Sequence, residues 1–180
     1  MRILGLDVST FVGMCLLVDP DQTDSQVKSL LINYPKLRGY ERLQSIARGV
    51  AMVVDEWQPD VVFIEWYAFG GCQIVQMVEV GTFIRKVLYD RGLDWYDCTP
   101  STVKLFTTGK GNAKKPDMAA AVQQRWGFTH KSDDVIDAFA IAKLGQHVLT
   151  LPETPKGVKK WNDGSQSKAA RSTKSQAKAM

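Results

Sequence analysis

Four acidic residues, far apart in a chain of 180, stand at the ends of predicted core elements. Asp7 ends the apolar run Ile3-Leu4-Gly5-Leu6, and Glu65 ends a second, Val61-Val62-Phe63-Ile64. Asp134 and Asp137 lie three apart in Asp133-Asp134-Val135-Ile136-Asp137-Ala138-Phe139-Ala140, the first turns of a predicted helix. A carboxylate at the end of a buried strand is costly unless something offsets its charge. Several that converge point to a divalent-metal site, because hard oxygen ligands suit Mg²⁺ or Mn²⁺.

Repulsion strengthens that reading. Two carboxylates about 4 Å apart repel by about 1 kcal/mol in water and about 4 kcal/mol at an effective dielectric of about 20. Bound cations relieve such a cluster. Residues three apart share a helix face, so Asp134 and Asp137 can point at one ion. Asp133 lies four before Asp137 and is an alternative to Asp134. Capping by Ser132, Asp133 and Asp134 is the plainer explanation for the first turn. It does not account for Asp137, which lies beyond that turn in an apolar stretch.

Composition narrows the chemistry. Cys15, Cys72 and Cys98 are odd in number and scattered, which fits a reduced, cytoplasmic compartment. His130 and His147 are the two histidines, and neither has the spacing of a zinc site or a Ser-His-Asp site. No run of eighteen apolar residues predicts a membrane span, and Met1-Arg2-Ile3-Leu4 enters a strand without a signal-peptide block. The net charge is +4, yet residues 156–180 carry seven basic residues against Asp163, leaving −2 on residues 1–155. We expect a domain over 1–150 and a basic, flexible tail over 151–180, which is either simply solvated or adds nonspecific attraction to a polyanion.

The elements that must position the carboxylates follow from periodicity and breakers. Strands are predicted over 2–8, 11–19, 28–34, 61–65 and 94–98, and helices over 37–57, 72–90, 99–106, 116–126 and 132–149. Three hairpin-linked strands followed by α/β crossovers give an α/β fold. Its mixed five-stranded sheet, three strands antiparallel and two parallel, is flanked by helices in the RNase H-like manner. The first strand is central with the fourth parallel beside it, which brings Asp7 next to Glu65.

The residues resemble the RuvC-type Holliday junction resolvases. The matching segments are Leu4-Gly5-Leu6-Asp7, Gln58-Pro59-Asp60 leading to Ile64-Glu65, Val103-Lys104, Gly109 through Lys115, and Asp134-Val135-Ile136-Asp137 through Ala142. They occur in the family's order over roughly residues 1–150. The resemblance implies that Asp7, Glu65, Asp134 and Asp137 bind two Mg²⁺ ions, with Mn²⁺ able to substitute. The reaction implied is hydrolysis of a DNA phosphodiester, leaving a 5′-phosphate and a 3′-hydroxyl. Lys104 and Lys115 match basic positions that hold the scissile strand, and Lys110 and Lys114 join them as phosphate contacts from the same loop. Members carry an aromatic residue just after the catalytic Glu that stacks at the junction core. By direct count that position falls on Ala68, so Phe69 is the candidate, with Tyr67 second. The helix over 72–90 matches the family's dimerisation helix, and its apolar positions cover more than one face, which favours a homodimer on branched DNA.

The chain departs from the family where many members read Asp-Pro-Gly after the first strand; here it reads Asp7-Val8-Ser9-Thr10. That and the basic tail fit a divergent, phage-encoded member. Two other readings stay open: a broader branched-DNA nuclease or RNase H-like ribonuclease, and a noncatalytic junction-binding protein. An actin-like ATPase needs two such domains, and 180 residues supply one.

Overall fold

A computed structural model describes residues 1–21, 26–67 and 74–161. Within them the elements run β1 (Arg2–Val8), β2 (Val12–Val18), β3 (Gln26–Ile32), α1 (Gly39–Trp57), β4 (Val61–Glu65), α2 (Ile74–Asp90) and β5 (Trp95–Cys98). Then come α3 (Pro100–Thr108), α4 (Lys115–Trp126), α5 (Asp133–Val148) and β6 (Val158–Trp161). The strands form one sheet in the order β3-β2-β1-β4-β5-β6. β1 and β2 form an antiparallel hairpin, β4 and β5 run parallel to β1, and β6 turns antiparallel against β5.

The sheet therefore has six strands among the described residues, where five were expected. Residues 158–161, assigned to the tail by their lysines, instead pair with β5. An open sheet edge presents unpaired N–H and C=O groups, and a short segment can satisfy them whatever its charge. Val158 alone of the four turns inward. Ser132 occupies the N-cap position of α5 as expected, but its side chain makes no capping bond.

Alternation along β1 and β4 sets two faces. Ile3, with Val61 and Phe63, packs in a core with α3, α4 and α5, while Leu4 and Leu6, with Val62 and Ile64, pack against α1 and α2. α1 buries Ile46, Val50, Val54 and Trp57 and stops at Gln58, which takes a left-handed conformation just before Pro59.

The apolar α5 lies flat on the β1–β2 hairpin because two positions lack side chains. A Cβ on Gly5 would fall 2.1 Å from the Ala138 carbonyl oxygen, and one on Gly13 would fall 2.0 Å from that of Asp134. Gly13 pairs directly with Asp7 in the hairpin. The close approach of helix and sheet thus occurs where the acidic turn of α5 must meet Asp7. No described helix is long and apolar enough to cross a membrane.

Candidate active site

Asp7 and Glu65 stand side by side because Leu6 pairs with Ile64 in the parallel β1–β4 ladder, and each acid follows its pair by one residue. Strand alternation turns both toward the α5 face. Asp7 is 5% exposed. Its carboxyl is held well above the ordinary range by burial first, then by the charges of Glu65, Asp137 and Asp134. Asp7 and Glu65 also act directly on each other, which raises Asp7 further and opposes the rise of Glu65. Burial and the charge of Asp137 push Glu65 up to about 7, against the pull of Lys104. Burial pushes Asp137 up to about 6, with Lys115 opposing and Asp133 and Asp134 adding to the rise.

All four carboxylates therefore act on one another. Asp133 is exposed and pairs with Lys115 at 3.4 Å, whereas Asp134 is half-buried and acts on both Asp7 and Glu65. Geometry thus favours Asp134 of the two. Among the described residues, no three His, Cys, Asp or Glu side chains close around one point as a ready metal cage. The donor set still fits a hard divalent cation: every donor is an oxygen, and the repulsion within the set is what such an ion offsets.

The predicted lysines divide into two groups. Lys104 on α3 is half-buried and its charge reaches Glu65 and Asp137. Lys115 opens α4; burial disfavours its charged form, but Asp133, Asp134 and Asp137 outweigh that and raise its pKa. Lys110 and Lys114 are exposed on the α3–α4 connection, where the Lys114 N–H donates to Asp117 at 3.1 Å.

On the opposite face of the sheet, the chain leaving Glu65 is clamped. Arg85 of α2 donates to Asp97 Oδ1 through Nη2 at 2.5 Å and Nε at 3.2 Å, and to the Tyr67 hydroxyl through Nη1 at 2.8 Å. Its guanidinium lies 5.2 Å from the Trp66 ring centroid and 4.8 Å from that of Tyr67. Tyr67 can lie against α2 because Gly81 is beneath it; a Cβ there would come 2.6 Å from the Tyr67 hydroxyl. Tyr67, second candidate for the junction-core aromatic, is thus tied to its own protein. Phe69, the first candidate, lies outside the described residues, as do Ala68 and Cys72 at the predicted start of α2.

Sequence reasoning missed Arg85 and Asp97. Arg85 reads as an ordinary solvated position on an amphipathic helix, and a lone acid in Trp95-Tyr96-Asp97-Cys98 gives no sign of its partner. Gly5 and Gly13 carried a fainter signal, since glycine inside an apolar strand marks a close backbone approach.

A family model described as crossover junction endodeoxyribonuclease RuvC matches residues 3–144. RuvC of Wolinella succinogenes is 30% identical over 162 residues, which cover 86% of this chain and 99% of that protein. RuvC of a Sulfurovum species is 30% identical over 148 residues, covering 79% and 92%. Among solved structures, Thermus thermophilus RuvC aligns with a TM-score of 0.72 at 19% identity, over 89% of this chain and 100% of that one. The T. thermophilus protein in complex with a Holliday junction substrate gives 0.67 at 21% identity, over 79% and 90%. At these identities the structural likeness establishes the fold. The family match takes in all four carboxylates and both lysines beside them and ends before β6. On these grounds the chain belongs to the RuvC family of crossover junction endodeoxyribonucleases.

Proposed function

We propose that this chain is a Holliday junction resolvase that hydrolyses phosphodiesters in four-way DNA, with Asp7, Glu65, Asp134 and Asp137 as its metal-binding carboxylates. The observation that carries the reading is the mutual influence of these four side chains at one end of the sheet, in a family of metal-dependent nucleases. The ions are Mg²⁺, two per site, with Mn²⁺ able to replace them. Bound there, they supply water activation and stabilise charge on the attacking and leaving oxygens. Neither His nor Cys is needed.

The protein's own part is to hold and orient. Asp7 is fixed deep in the sheet, and Asp134 and Asp137 reach it from α5. Lys104 and Lys115 flank the carboxylates and attract the scissile strand's phosphates, while Lys110 and Lys114, free in solvent, take phosphates farther out. Phe69 and Tyr67 are the aromatics proposed for the junction core. The products are nicks with 5′-phosphate and 3′-hydroxyl ends.

A homodimer through α2 supplies the second active site that paired cutting needs. Val80, Ile84, Val87 and Leu88 are buried within the subunit, whereas Val75 and Val78 are exposed three residues apart on the same helix. The nuclease unit then runs through β6, and the basic residues beyond it add nonspecific attraction to DNA.

The test is cleavage of end-labelled synthetic DNA, comparing a mobile four-way junction with duplex, flap and RNA–DNA hybrid in Mg²⁺ and in Mn²⁺. Paired, ligatable nicks confined to the junction and lost in Asp137→Asn are expected. Equal cutting of flaps would broaden the enzyme to branched DNA, and cutting of hybrid alone would move it to ribonuclease H. Binding without cutting in either metal would sink the mechanism.

A further inference from the structure

Lys115 is the first residue of α4 and Asp133 the first of α5, and their side chains meet in an ion pair at 3.4 Å. Neither is buried: 64% of the lysine side chain and 51% of the aspartate stay exposed. A pair so exposed adds little to stability. What surrounds it matters more. The charges of Asp134 and Asp137 also reach the ammonium, and Lys115 acts on Asp137 more strongly than Lys104 does.

Lys115 thus lies within the influence of three acids and is paired with one of them. A lysine carries three donors on a flexible four-carbon stem, so it turns readily among acids in reach. Settled on Asp134 or Asp137, the ammonium would occupy oxygens that a divalent cation needs and cancel part of the charge that attracts one. It would also be withdrawn from the substrate. The acid it pairs with is the exposed one; Asp134 and Asp137 are half-buried.

Local structure leaves this task to Asp133. Within α4 the acid of the first turn is Asp117, and it accepts from the Lys114 backbone N–H at 3.1 Å. The dipole of α4 disfavours a cation at its start, so nothing in its own helix holds the Lys115 ammonium. Asp133, by contrast, complements the dipole of α5. It stands one turn before Asp137 on the same face of that helix, nearer the solvent end.

We propose that Asp133 is a positioning residue that holds the Lys115 ammonium off Asp134 and Asp137, leaving those carboxylates free for a divalent cation and the lysine ready for a substrate phosphate. The proposal rests on the reading of Asp7, Glu65, Asp134 and Asp137 as the metal-binding set. Asp133 itself binds no ion. An exposed pair is weak enough for an incoming phosphate to displace, so the lysine is held without being locked.

The test is Mn²⁺ titration of the full chain without DNA, followed by the electron paramagnetic resonance of the free ion, in about 0.15 M salt to screen distant charge. The number of sites per chain reports the folded fraction, and the affinity reports the site. Asp133→Asn should weaken Mn²⁺ binding about tenfold in the otherwise unsubstituted chain, and about threefold at most in Lys115→Met, where no ammonium is left to fall onto the ligands. Asp133→Glu, which can still pair, should keep the affinity within about twofold. Unchanged affinity in Asp133→Asn overturns the proposal, as do equal losses in the two backgrounds, which would mean that Asp133 acts through its charge alone. Abolished binding in both backgrounds would make Asp133 a ligand and overturns it too. Asp137→Asn separates this from the parent reading. Affinity unchanged by that substitution removes the metal site, and the proposal with it. A loss there, beside equal losses for Asp133→Asn in the two backgrounds, removes the proposal alone.

Discussion

Asp7 and Asp97 are both buried carboxylates near one end of the same sheet, on opposite faces, and the protein treats them in opposite ways. Asp97 meets a cation of its own fold: Arg85 forks onto it, and though burial raises its carboxyl, the arginine pulls it back. Asp7 meets Glu65, Asp134 and Asp137 instead, so burial and neighbouring charge push the same way. A buried ion pair can serve packing and position. A buried cluster of like charges serves neither, because each member raises the cost of the next. The contrast separates a carboxylate held in an ion pair from a cluster of like charges without reference to sequence motifs.

Substitution should pull the two faces apart. Asp7→Asn is expected to reduce junction cleavage by about 10³-fold or more, on the scale of losing one charge-stabilising group, while leaving thermal stability equal or higher. Single-turnover cleavage and a melting curve read both; a large fall in melting temperature would put Asp7 in the structural class. Arg85→Ala should do the reverse. Leaving Asp97 buried and unpaired is expected to cost about 3–5 kcal/mol in urea denaturation, and a loss under about 1 kcal/mol would mean that the clamp is ornamental.

Cations and protons should act on the α5 face in opposition. Mg²⁺ at about 100 times its dissociation constant should stabilise the chain by about 2.7 kcal/mol, and Asp7→Asn should remove that gain. In metal-free protein, Glu65 and Asp137 carry raised pKa values, near 7 and near 6, so the folded state holds protons that the unfolded state has released. Their contribution is present at acidic pH and is lost as pH rises through those values. Stability should therefore fall between the ordinary carboxylate range and about pH 7, and Mg²⁺ should flatten the fall. A metal-free profile that rises over that window would mean that the carboxylates are paired with cations already. Gly13→Ala is the mildest probe. Its new methyl must displace the Asp134 backbone, with about 1–3 kcal/mol of stability lost to overpacking and a fall in cleavage larger than that loss accounts for.

The elements and the acids at their ends were legible because local signals were strong and agreed. Apolar runs ending in Asp7 and Glu65, breakers at Pro59 and Pro116, and an acidic turn opening an apolar helix are each visible within a short stretch of sequence. β6 was not legible: Val158-Lys159-Lys160-Trp161 has neither alternation nor an apolar run, and it is a strand because β5 offers it an edge. The Arg85–Asp97 clamp was equally silent, since its partners sit on a helix and a strand that only the folded sheet brings together.

By itself the sequence determined that four acids would sit at or near the ends of buried elements, a set of oxygen donors suited to a hard divalent cation. Alternation fixes which residues of a strand share a side, but which helix covers that side depends on pairings between distant segments. Tertiary structure alone therefore decided that Asp7 would face three other acids while Asp97 would face an arginine. It decided too that two glycines would let α5 approach closely enough for the first of these meetings.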